Sequence, residues 1–260
     1  MEKFTDINGI NLCYDEGGIN EGETVVLIHG LSSSKEDMFY LRDVLEDKYK
    51  VYTIDCRGHG KSDKMMGYTL NDHAKDVISF CNSLNSNSIN LIGYSMGSYI
   101  ALKAGEIEPE LFKKIVLIGT KGDGKSSSVE KLVKDEGYEI GEISSFKFKR
   151  ILLKSLFAPK TSVFTKLKVL KYRSKVKLTQ EDKLAENKAL ENFDNFKDID
   201  RVTVPVLVIA AESDKINPPE YGLKVANSIK NSQFEVINDA GHFMLLEKPE
   251  ELEKLIKNFI

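Results

Sequence analysis

From residue 143 to residue 180 the chain has no aspartate or glutamate, although eleven lysines and arginines fall there. The rest is correspondingly acidic, because the net charge of all 260 residues is −3. The chain as a whole therefore lacks the cationic excess of a nucleic-acid binder, and no nucleic-acid partner is expected. Apolar runs are short, and none approaches the roughly 18 residues that span a bilayer as a helix. The first residues, Met1-Glu2-Lys3-Phe4-Thr5-Asp6, lack the basic and apolar stretches of a secretory signal. Cysteines are few: Cys13, Cys56 and Cys81 are odd in number and widely spaced, which argues against a disulfide framework. A cytoplasmic protein with free thiols is expected. No His-x-x-x-His, Cys-x-x-Cys or clustered carboxylate set supplies a metal site. What is present, 41% apolar and 30% charged residues, suits a folded globular chain, long enough for one α/β domain with an insertion.

Apolar runs at residues 12–14, 25–28, 51–54, 89–92, 115–118, 204–210 and 234–237 read as strands alternating with helical stretches. That alternation predicts a mostly parallel, doubly wound sheet flanked by helices. Leu252, Leu255, Ile256 and Phe259 form one stripe of a closing amphipathic helix. Between residues 120 and 200 the strand signal lapses into helical spacing. The chain thus divides into a core, 1–119 and 201–260, and a helical cap, 120–200, covering the C-terminal ends of the strands.

Gly93-Tyr94-Ser95-Met96-Gly97 lies between the strand at 89–92 and a helix. Small residues on both sides let a serine occupy a sharp strand-to-helix turn, which exposes its hydroxyl beside free helical N–H groups. A serine nucleophile needs a base, and the base needs an orienting acid. Asp214 follows the apolar run at 204–210, and His242 follows the strand at 234–237 within Ala240-Gly241-His242-Phe243. The order Ser95, Asp214, His242 places acid and base beyond the ends of consecutive strands.

With Val25-Val26-Leu27-Ile28-His29-Gly30-Leu31, Tyr52-Thr53-Ile54-Asp55-Cys56-Arg57-Gly58-His59-Gly60-Lys61-Ser62 and Glu247-Lys248-Pro249-Glu250, these motifs closely resemble the α/β-hydrolase family over the whole chain. The resemblance implies an oxyanion hole from the backbone N–H groups of Leu31 and Met96, and no cofactor. It implies a serine hydrolase acting on a small-molecule carboxylic ester, of short to medium acyl chain or a small lipid ester. Thioesterases, C–C hydrolases and menaquinone-pathway lyases share the triad. Those lyases usually carry Gly-Arg after the motif, where this chain has Ser98-Tyr99.

Other residues compete for these roles. Gly119-Thr120-Lys121-Gly122-Asp123-Gly124-Lys125-Ser126 matches the phosphate-binding pattern G-x-x-x-x-G-K-[ST] after a strand, so a nucleotide-binding protein is the alternative from another class. The same segment also reads as a flexible approach to the cap. Asp123 competes with Asp214 as the acid. His29 and His59 are expected to be structural, and His73 to sit on the surface of a helix. In the cap, Phe146, Phe148, Phe157 and Phe164 are expected to bind substrate, with the lysines solvated. Alternatively, the basic residues interleaved with apolar ones over 143–180 meet an anionic membrane or an anionic substrate.

Overall fold

The computed structural model describes residues 2–86, 88–125, 128–139, 142–173 and 177–260. One eight-stranded sheet organises them: β1 (Glu2–Ile7), β2 (Ile10–Gly18), β3 (Thr24–Ile28), β4 (Lys50–Ile54), β5 (Ile89–Tyr94), β6 (Phe112–Ile118), β7 (Val206–Ala211) and β8 (Ser232–Ile237). Their spatial order is β1-β2-β4-β3-β5-β6-β7-β8. β1 and β2 form an antiparallel hairpin, β2 runs antiparallel to β4, and every other pairing is parallel.

Seven strands are expected from the apolar runs, and the eighth, β1, is an addition. At the sheet edge its positions alternate between exposed and half-buried, with Ile7 alone buried, and it contains no apolar run. β3, β5 and β7 are buried throughout. Both sheet faces carry apolar cores, so the side chains of these strands are apolar on both faces, apart from the buried Thr24 and Asn90. Val26, Ile28, Val206 and Val208 join one core. Val25, Leu27, Leu207 and Ile209 join the other.

The first core contains residues of α2 (Leu70–Ser83), α3 (Met96–Ile107) and α8 (Pro219–Ser228). The second contains residues of α1 (Phe39–Leu45), the short α9 (Met244–Glu247) and α10 (Pro249–Phe259). Leu252 and Ile256 are buried and Leu255 and Phe259 pack against them, as the amphipathic stripe predicts. Between β6 and β7 no sheet strand occurs among the described residues. These residues build α4 (Ser128–Asp135), α5 (Ser145–Leu156), α6 (Val163–Arg173) and α7 (Gln180–Ala189). Thr69 and Thr179 close capping boxes on α2 and α7.

Strand order reverses where β3 meets β4 on one side and β5 on the other. The crevice beyond the C-terminal ends at such a reversal is where open α/β sheets bind ligands. Ser95, between β5 and α3, and residues 29–31, after β3, both lie there.

Candidate active site

Ser95 sits at φ 52°, ψ −118°, an uncommon backbone conformation for a residue with a side chain. Two glycines permit it. A Cβ on Gly93 would lie 2.1 Å from the Gly97 carbonyl oxygen, and one on Gly97 would lie 2.3 Å from that of Ile28. The Ser95 N–H continues the sheet ladder to the Ile118 carbonyl at 2.8 Å, so strain at the turn is held by strand pairing.

The structure brings Ser95, Asp214 and His242 together. His242 Nε2 is 3.1 Å from Ser95 Oγ, and Nδ1 is 2.8 Å from Asp214 Oδ2. All three residues are buried. The other carboxylate oxygen, Asp214 Oδ1, accepts the backbone N–H groups of Ile216 at 2.8 Å and Asn217 at 2.9 Å. An acceptor-only carboxylate held in this way fixes Nδ1 as the protonated nitrogen of a neutral His242, leaving Nε2 to accept from serine. Asp123 is elsewhere: its backbone bridges to Asp194, which excludes it as the partner of His242.

Further groups hold the constellation and were not legible as site residues. The Tyr94 hydroxyl donates to the His242 carbonyl at 2.7 Å. Glu247 accepts the backbone N–H of Gly241 at 3.0 Å and of Ala158 at 2.9 Å, and also the Thr161 hydroxyl. It thus ties the histidine loop to the turn between α5 and α6. Asn217 Nδ2 donates to the Gly119 carbonyl and the Tyr99 hydroxyl, both at 2.6 Å. Burial pushes the Tyr99 phenol up and the neighbouring Lys121 ammonium down.

Leu31 follows Gly30, where a Cβ would approach Ser95 Cβ to 3.3 Å, so this loop lies against the serine turn. Met96 opens α3, and its N–H has no intrahelical acceptor by position. His29 orients the loop. Its Nε2 accepts the Cys56 N–H at 3.1 Å, and its Nδ1–H donates to the Gly30 carbonyl at 2.7 Å. Burial, with His59 nearby, lowers its pKa to about 3. A clamp from α7 reaches the same place: Glu186 accepts the Ser32 hydroxyl and lies 3.0 Å from His59 Nε2. His73, expected at the surface, is buried, with its ring edge-on to Tyr68. It lies on the inner side of α2 with the buried Asp76, where polar residues within an amphipathic pattern give no sign of their burial.

The phosphate-loop pattern does not form a nest. Gly124 N–H donates to Phe193, while Gly122 and Gly124 accept from Asn195 and Asn192, so this backbone runs as a bridge to residues 192–195. Lys125 pairs with Asp194 at 3.3 Å, and Ser126 lies outside the described residues. The nucleotide-binding alternative is set aside on that geometry.

A cavity of about 740 Å³ lies between α4, α5 and the loop carrying Asp214. Leu132, Leu153, Phe157, Ile216 and Tyr221 line it, and Asp214 is the triad member on its wall. Phe157 is the one expected cap aromatic found there. Phe146 and Phe164 are instead strongly exposed, and Phe148 is half-buried away from that wall. No group of three or more potential metal ligands occurs among the described residues.

The family profile of the α/β hydrolase fold matches residues 23–249. The chain belongs to the α/β-hydrolase family. Among relatives of this α/β hydrolase, an uncharacterized hydrolase of Bacillus subtilis, YugF, is 25% identical and covers 100% of this chain and 97% of its own. The 2-hydroxy-6-oxo-6-(2'-aminophenyl)hexa-2,4-dienoic acid hydrolase of Metapseudomonas resinovorans is 26% identical, covering 100% of this chain and 91% of its own. A solved thermophilic esterase from Thermogutta terrifontis superimposes with a TM-score of 0.82 over 99% of this chain and 97% of its own, at 24% identity. This last likeness is one of fold.

Proposed function

We propose that the chain is a serine hydrolase that cleaves carboxylic esters, of short to medium acyl chain or small lipid esters, through an acyl-enzyme. The observation that carries this reading is the unbroken relay from Ser95 Oγ through His242 to Asp214, at 3.1 and 2.8 Å. Ser95 attacks the acyl carbon while His242 Nε2 takes its proton. Asp214 holds the resulting imidazolium. His242 then returns the proton to the departing alcohol, and water attacks the acyl-enzyme by the same route. The N–H groups of Leu31 and Met96 receive the developing oxyanion, each worth about 3 kcal/mol of barrier. Residues 120–200 act as a cap over the site, and Phe157 contributes to acyl selection.

A second reading, hydrolysis of a carbon–carbon bond on the same triad, is favoured by the half-buried Lys121, 5.9 Å from the Tyr99 ring centre, as a cation for an acidic substrate. The named activity of the Metapseudomonas relative agrees with it. Turnover of p-nitrophenyl butyrate at a rate at least about tenfold above cleavage of a dicarboxylate that carries a carbon–carbon bond between two carbonyl groups supports ester hydrolysis, since a buried charge without a partner costs at least that much. The reverse preference supports the second reading.

A further inference from the structure

We propose that the solvent faces of α5 and α6 form a docking surface for an anionic lipid bilayer. On α6, Val163, Leu167 and Leu170 recur at helical spacing on one stripe, with Phe164 beside them, and all four are exposed. The opposite side of that helix is its anchor: Val169 is buried against Phe157 and Phe243. On α5, Phe146 and Leu153 are exposed while Ile151 and Ser155 are buried. Phe146 is 79% exposed, Val163 72% and Phe164 78%, values that belong to side chains without a covering partner. Exposed apolar side chains grouped on one stripe of a helix, as on α6, mark an interaction site in a folded protein.

Charge selects the occupant. Lys149 and Arg150 on α5 and Lys168 and Lys171 on α6 border the apolar positions, and no carboxylate occurs from 143 to 180. Lys154 and Lys160 find their partners, Glu136 and Asp239, only outside the segment. Aromatic and aliphatic side chains interleaved with cations match the acyl and phosphate layers of an anionic membrane. A second copy fits poorly, because a two-fold interface would set this cationic patch against itself. No helix among the described residues is long and apolar enough to cross a membrane, so attachment is peripheral. On the ester-hydrolysis reading, such seating brings the lipid to the helix whose buried Val169 packs on Phe243, the residue after His242.

Co-sedimentation of the full chain with vesicles tests this. Phosphatidylcholine vesicles containing about 30% phosphatidylglycerol should bind at least about tenfold more protein than phosphatidylcholine alone, and raising salt from about 0.05 to about 0.5 M should abolish the difference. Phe164→Ser with Leu167→Ser, and separately Lys149→Glu with Lys168→Glu, should each lower binding about tenfold at unchanged melting temperature. Equal binding to both vesicles, no binding, salt-indifferent binding or unaffected variants would overturn the proposal. So would self-association that is lost in Phe164→Ser without any vesicle binding, which assigns the patch to a second copy. Partition is read without turnover, so a protein that binds vesicles and cleaves no ester faults the functional reading alone.

Discussion

Lowering the pH should destabilise this protein through one buried imidazole that holds the loop carrying Leu31. The Nε2 of His29 accepts the Cys56 N–H, so a proton added there confronts a donor and removes that hydrogen bond. Desolvation acts in the same direction, and the pKa falls from its ordinary value near 6.5 to about 3. Because the folded value is the depressed one, the unfolded chain binds the proton more readily. The stabilisation is complete above pH 6.5 and is lost progressively as the pH falls toward 3. At pH 5, one and a half units below the unfolded value, the loss is about 2 kcal/mol. Glu106 works against it: burial raises its pKa to about 7, so protonation between pH 7 and 4.5 favours the folded state. The comparison of wild type with His29→Gln isolates the imidazole, since glutamine keeps an acceptor for Cys56 and Glu106 is common to both. Urea unfolding at pH 8 and pH 5 should show wild type losing about 2 kcal/mol more than the variant, or about 4–8 °C in melting temperature. Parallel pH curves, or a His29 resonance titrating near 6.5, would refute the argument.

Asp214→Asn should lower kcat by about three to four orders of magnitude, because the amide no longer enforces the useful imidazole tautomer. Asp123→Asn, at the bridge to residue 194, should change kcat by less than about twofold; reversed effects would move the acid. Glu247→Ala should lower the melting temperature and kcat together, as it strands two buried N–H groups at about 1–3 kcal/mol each. Glu247→Gln, which keeps one acceptor oxygen, should recover part of both, and a thermal scan with steady-state rates checks it.

The serine turn, the loop after β3 and the acid and base were legible because each is punctuated locally. An apolar strand buried on both faces runs into glycines or an isolated polar residue, and the chain order does the rest. β1 was hidden because it is an edge strand whose six residues, Glu-Lys-Phe-Thr-Asp-Ile, hold only two apolar side chains three positions apart, so no strand period appears. The phosphate-loop alternative at Gly119–Ser126 could not be settled from sequence for the opposite reason: its pattern is local, but the Gly122 carbonyl and the Gly124 N–H and carbonyl are committed to residues about seventy positions on. Glu186 reaching Ser32, 154 residues away, is invisible to any periodicity. The orientation of α5 and α6 was undetermined too, because apolar residues fall on more than one side of each helix. The buried Val169 on α6, and Ile151 and Ser155 on α5, show which side is covered.

The central claim, that Ser95 is a nucleophile activated by His242, is tested most directly by fluorophosphonate labelling of the intact protein followed by peptide mapping. The account predicts stoichiometric modification at Ser95, abolished in Ser95→Ala and slowed by orders of magnitude in His242→Ala. Full labelling that persists in a folded Ser95→Ala protein, or a wild type that resists the reagent while correctly folded, would contradict it.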